Sequence, residues 1–104
     1  MSGTAWIGDG IPAEYSLDQN FPNPFNVSTQ IRFGLPDDGA VNITVFDLLG
    51  RAVAELVNEP RAAGMHVVHW NGEDRHGRSL PTGAYLLRLT TNDFSQTRRV
   101  TLLR

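Results

Sequence analysis

The chain has 104 residues, 40% of them hydrophobic, with nine basic residues against eleven acidic ones and no cysteine. A chain near 100 residues buries roughly 60 to 70% of the surface its unfolded form exposes, which provides one domain, a modest core and little room for an enclosed substrate pocket. Without cysteine neither disulfides nor thiolate metal sites can staple the fold, the near-neutral net charge of −2 argues against general nucleic-acid binding, and no stretch approaches the ~20 apolar residues needed to span a membrane.

Residues 1–13, MSGTAWIGDGIPA, carry three glycines, a proline and no hydrophobic period, and read as a linker or an expression remnant. They lack the basic start and continuous apolar run of a signal peptide. Trp6 and Ile7 are the exception, suited to a short strand or to docking on the domain. From Tyr15 onward the chain breaks into short alternating runs separated by turn residues at regular intervals, which predicts an all-β sandwich of about seven antiparallel strands. A short strand is expected over 15–18. Asn23-Pro24-Phe25 then forms a rigid turn bearing one large apolar side chain. Ile31, Phe33 and Leu35 follow at period two within a strand over 29–35, and Pro36-Asp37-Asp38-Gly39 ends it.

Val41, Ile43 and Val45 define the third strand, after which Leu49-Gly50-Arg51 turns the chain into a run over 52–57. Ala52, Ala54, Glu55 and Leu56 are good helix formers. The position of this run between two strands favours strand instead. Pro60 and Gly64 punctuate the next loop, and a fifth strand over 65–70 places His66, Val68 and Trp70 on one face, with Trp70 as a core anchor. The run NGEDRHGR is a polar loop. Pro81-Thr82-Gly83 leads into the sixth strand, where Tyr85, Leu87 and Leu89 point inward. Asn92-Asp93 makes the last turn, and residues 97–103 close the sheet with Val100 and Leu102 facing the core.

Few residues suggest chemistry. His66 and His69 fall on opposite faces of their strand and cannot converge on one ion. Asn71, Glu73 and Asp74 offer oxygen ligands suited to calcium, but the EF-hand order is missing, so the Asn71 side chain is expected to make an Asx turn just beyond Trp70. There is no G-x-S-x-G, no cysteine nucleophile and no glycine-rich phosphate loop, and the neighbouring carboxylates Asp37-Asp38 and Glu73-Asp74 do not make an opposed catalytic pair. Of the aromatic residues that could stack on a sugar, Trp70 and Tyr85 take core phase, leaving Trp6 and Tyr15. Charge is uneven: all nine basic residues are arginine, two against eight acids in residues 1–60 and seven against three in residues 61–104. The skew fits solvated strand faces, or an arginine-bearing surface on the last strands offered to an acidic partner.

The segment YSLDQNFPNPFNVSTQIRFGL and the later phrases VFDLLGR, GMHVVHWNG, PTGAYLLRL and RRVTLLR, taken in order, resemble the C-terminal sorting domain of the type IX secretion system, an immunoglobulin-like β-sandwich carried by exported proteins of certain Gram-negative bacteria. The resemblance covers residues 14–104. Val27 stands where that family most often has proline, Asn71 where aspartate is usual, and arginine ends the chain where lysine is commoner. The resemblance implies a non-enzymatic domain without cofactor or metal. It implies recognition by the outer-membrane translocon during passage through the periplasm, delivery of a covalently attached N-terminal cargo to the cell surface, and removal by a surface sorting protease. The cut is expected between Ala5 and Ala13, where an unstructured backbone suits a protease.

The candidate recognition residues lie on the closing strand: Arg98, Arg99, Thr101, Leu103 and Arg104, with Arg98, Thr101 and Leu103 expected outward or at the edge. Asn23, Pro24, Phe25, Trp70, Gly83 and Tyr85 are expected to be structural. Two rivals remain. One is an immunoglobulin-like spacer or carbohydrate-binding module of an extracellular enzyme, and the other is the related domain of flagellar hook-capping proteins. A sorting domain is expected to end its precursor, whereas a spacer can sit anywhere.

Overall fold

The computed structural model describes the backbone of residues 6–7 and all of residues 10–104. Two antiparallel sheets face each other, one of three strands in the order β3-β4-β7 and one of four in the order β6-β5-β8-β9. Their strands are β3 Ser16–Leu17, β4 Thr29–Leu35, β5 Gly39–Phe46, β6 Ala52–Arg61, β7 Gly64–Trp70, β8 Gly83–Thr90 and β9 Ser95–Leu102. These seven strands form the expected immunoglobulin-like sandwich.

Alternation places the core. Ile31, Phe33 and Leu35 from β4, Val41, Ile43 and Val45 from β5, Tyr85, Leu87 and Leu89 from β8, and Val100 and Leu102 from β9 are all buried between the sheets. Tyr85 also donates its hydroxyl to the Pro81 carbonyl at 2.6 Å, an upstream tie of the tyrosine-corner type found in such sandwiches.

The helix-forming run at 52–57 is a strand, and its irregular pattern has a cause. The β5–β6 ladder shifts register between Ile43 and Thr44 and again between Val45 and Phe46, leaving Leu56 and Val53 without direct partners. The bulge at Leu56 reverses the side-chain phase, so Ala54 and Val57 both reach the core despite their three-residue spacing. That spacing imitates one helical turn. β6 then continues through Pro60, expected in a loop, because an edge strand can hold proline with its missing N–H turned outward.

The described part of the amino-terminal segment, expected as linker, holds two short paired strands. Trp6–Ile7 (β1) pairs antiparallel with Ile11–Pro12 (β2), and Pro12 is buried. Gly34 permits this approach: a Cβ there would stand 2.8 Å from Ser16 Oγ, 2.9 Å from Met65 Sδ and 3.1 Å from Pro12 Cγ. The expected protease site between Ala5 and Ala13 therefore overlaps the β1–β2 hairpin, while residues 1–5, 8 and 9, also assigned to the linker, lie outside the described residues.

Candidate functional site

Asn23-Pro24-Phe25 is a clamp on β9. The Phe25 ring is buried, its centroid 5.4 Å from Trp70, and Trp70 meets Tyr85 edge-on at 5.6 Å, so the three aromatic rings tie the turn, β7 and β8 together. With the ring fixed, the Phe25 backbone reaches the outer side of β9: its N–H donates to the Thr101 carbonyl at 3.0 Å, and its carbonyl accepts from Leu103 N–H at 2.8 Å. Asn23 Oδ1 accepts from Thr101 N–H at 3.0 Å. Beneath the turn, buried Asn20 donates to Thr29 Oγ1 at 2.9 Å, and the Thr29 hydroxyl donates to the Pro22 carbonyl at 2.8 Å, leaving neither polar group unpaired. Nothing in hydrophobic patterning flagged Asn20 or Thr29. Their signal is polarity at positions flanking a proline-rich turn.

β9 is therefore only partly a free edge. Thr101 turns its backbone groups away from β8, so the odd-numbered residues present theirs to the edge, and no shift interrupts the β8–β9 register. The clamp occupies the groups at 101 and 103, and Gln19 Nε2 donates to the Arg99 carbonyl at 2.7 Å. Among the described residues no group pairs with the outward N–H and C=O of Thr97 or with the N–H of Arg99.

The five candidate recognition residues separate into two kinds. Arg99 and Leu103 are exposed, and Thr101 is half-buried beside the clamp. Arg98 corrects the expectation. Strand parity puts it on the same face as Val100 and Leu102, and its Nε donates to the Leu17 carbonyl at 2.8 Å, bridging the two sheets. Arg104 is also engaged: its Nε donates to the Leu80 carbonyl at 3.0 Å, its Nη2 to the Gly72 carbonyl at 2.6 Å, and its N–H to Thr82 Oγ1 at 2.8 Å. Gly83 opens β8 directly opposite Leu102.

The same end of the sandwich holds two copies of one turn, DLLGR at 47–51 and DRHGR at 74–78. In each, the aspartate Oδ1 accepts two backbone N–H groups, from Leu49 and Arg51 in the first and from His76 and Arg78 in the second, while Oδ2 accepts from the arginine Nε at 2.7 and 3.1 Å respectively. The glycine of each adopts a left-handed backbone, φ 86° at Gly50 and 79° at Gly77, which closes the turn without a Cβ clash. Both carboxyls are held below the ordinary carboxylate range, first by the backbone N–H of Arg51 or Arg78, then by the remaining N–H and guanidinium donors and the arginine charge, against opposing desolvation. Burial pushes the Tyr85 phenol up.

Between the two turns lies an open cleft of about 450 Å³. Val53, Leu80, Pro81 and Tyr85 contribute apolar surface to it, and Arg51, Arg75 and Arg78 supply positive charge. Hydrophobic patterning missed this feature, because the residues are polar and 23 or more positions separate the copies. The legible signal was the twofold occurrence of Asp-x-x-Gly-Arg.

Three of the remaining candidates have structural partners. His66 stacks on Phe33 at 5.3 Å and its Nε2 lies 2.7 Å from the Ala62 carbonyl. Asn71 Oδ1 accepts from Glu73 N–H at 3.2 Å, the expected Asx turn. Tyr15, one of the two aromatic residues left for sugar stacking, stacks on Phe94 at 5.2 Å.

Three solved structures share this architecture. Dimeric latent PorU from Porphyromonas gingivalis superposes with a TM-score of 0.68 over 93% of this chain at 22% identity. PorZ from the same organism, an essential bacterial surface component of the type-IX secretion system, superposes with a TM-score of 0.56 over 86% of this chain at 17% identity. FlgD from P. aeruginosa superposes with a TM-score of 0.56 over 73% of this chain at 25% identity. The chain spans 10%, 11% and 64% of those three chains respectively. No curated protein sequence matches it. Residues 25–94, from the clamp phenylalanine through the turn before β9, match the FlgD Ig-like domain, and the chain belongs to that family.

Proposed function

We propose that this domain is a sorting module that directs an attached cargo protein through the type IX outer-membrane translocon to the cell surface. In this reading it passes through the periplasm, acts without cofactor or metal, catalyses nothing itself, and is separated from its cargo by a surface protease. The single observation that carries the proposal is the state of β9. Its end is bolted down by the Asn-Pro-Phe clamp and Arg104, while among the described residues nothing pairs with the outward groups of Thr97 or the N–H of Arg99, and both side chains are exposed. A partner strand can add there, reading Thr97, Arg99 and, past the clamp, Leu103. The five ordered sequence phrases supply the link to this secretion system, and the fold shared with a domain of PorZ is compatible with it.

The test appends all 104 residues to a reporter bearing an export signal, in a host with this secretion system. The reporter should reach the surface. Deleting residues 100–104 is a poor control, since Val100 and Leu102 are fully buried and their loss unfolds the sandwich. Thr97→Pro removes one outward N–H and tolerates an edge position, so it should keep the fold and leave the reporter in the periplasm. Full surface yield from the Thr97→Pro chain would refute edge recognition. Absence of surface reporter with the parent chain would favour the spacer reading, to which the match with the FlgD Ig-like domain lends support.

A further inference from the structure

The twin-turn cleft has a charge balance that its own carboxylates do not satisfy. Asp47 and Asp74 each accept two backbone N–H groups and one guanidinium inside their own turns. Arg51 and Arg78 give only Nε to those aspartates, and their side chains are 73% and 75% exposed, so their terminal nitrogens face solvent. Arg75 has no carboxylate partner among the described residues and is held by the Ala52 carbonyl at 3.0 Å. The guanidinium group presents a planar fork of donors matched to carboxylate oxygens. Three such groups around one cleft leave an unmet demand for anionic acceptors.

The apolar component narrows the choice of anion. Val53, Leu80 and the Tyr85 ring line the cleft without adding a free donor, because the Tyr85 hydroxyl is already given to Pro81. The first turn also holds Leu48 and Leu49 at 60% and 80% exposure, pinned from behind by Asp47. Such a surface suits apolar side chains set next to carboxylates. A polysaccharide would set many of its hydroxyls against the apolar part of this wall, which cannot pair them. A volume of about 450 Å³ lies within the range of small-ligand clefts and holds a few residues.

We infer that the cleft between the two Asp-x-x-Gly-Arg turns binds a short acidic peptide segment, with Arg51, Arg75 and Arg78 taking its carboxylates and Val53, Leu80 and Pro81 taking an intervening apolar side chain. The inference is independent of sorting, since it concerns the pole at the end of β9 and not its open edge. Recognition of this kind is weakened by salt, because the arginine side chains are exposed to the ionic atmosphere.

The experiment titrates the 104-residue domain with a capped five-residue peptide alternating glutamate and leucine, followed through the amide resonances of Gly50 and Gly77, one on each turn. Both resonances should shift saturably. A lysine–leucine peptide should produce no saturable shift. Arg75→Gln combined with Arg78→Gln should weaken the acidic peptide at least tenfold while retaining the folded amide spectrum, and Arg61→Gln at the opposite end of β6 should leave it unchanged. The inference is overturned if the acidic peptide gives no saturable shift up to about 1 mM, the weak end of specific recognition. Equal response to the lysine peptide, or an unaffected double variant, overturns it as well. Tighter binding of dextran sulfate than of the peptide at these two glycines overturns it in favour of an anionic polysaccharide.

Discussion

Replacing Phe25 with alanine tests whether one turn residue outside every strand holds the closing strand in place. The ring is 2% exposed and packs against Trp70, while the Phe25 backbone bridges to β9. Removing a buried phenylalanine costs about 3–5 kcal/mol, from lost transfer energy plus the cavity left behind. A domain of this size has roughly 5–15 kcal/mol of stability in total. At about 4–8 °C per kcal/mol near this chain length, the melting temperature should fall by at least about 12 °C. Asn23→Ala provides the scale. It removes one acceptor from Thr101 N–H at an exposed position where water substitutes, so the loss should be near the lower end of roughly 0.5–1.5 kcal/mol. Thermal and urea unfolding followed by tryptophan fluorescence measure both variants, since Trp70 contacts the Phe25 ring. If Phe25→Ala melts within 2 °C of the parent, the clamp contributes nothing to folding, and the ring belongs instead to a surface that a partner covers.

The two adjacent arginines of β9 should behave differently under the same denaturation assay. Arg98→Ala severs the bridge to the Leu17 carbonyl and should cost about 1 kcal/mol, whereas Arg99→Ala on the exposed face should stay within about 0.5 kcal/mol; equal effects would refute the strand parity assigned here. The twin turns make acid stability depend on Asp47 and Asp74, both depressed below their ordinary 3.8 in the folded chain. A depressed carboxyl stabilises the fold at pH above its unfolded value and loses that contribution as pH falls through the folded one, so stability should decline below about pH 4. Asp47→Asn with Asp74→Asn should flatten that decline in melting temperature measured from pH 5 to pH 2, and an unchanged slope would show that other groups govern it.

The strand content, the inward set and the anchoring role of Trp70 were legible in the chain itself, because period-two alternation in β4, β5, β8 and β9 is a local property that burial on one face imposes directly. The Asx turn at Asn71 is equally local. Tertiary structure decided whatever depends on which strands are neighbours. The bulge at Leu56 that gives residues 54 and 57 a helical spacing exists only because β6 must follow β5, and Pro60 is tolerated because β6 is the edge of its sheet among the described residues. Arg98 shares parity with Val100, yet its partner, the Leu17 carbonyl, lies 81 positions away. The clamp of Asn23 and Phe25 on Thr101 and Leu103 spans a similar separation. Both Asp-x-x-Gly-Arg turns are written plainly in the sequence, and their convergence on one cleft is not. It follows from the antiparallel order that brings the β5–β6 and β7–β8 connections to the same end of the sandwich.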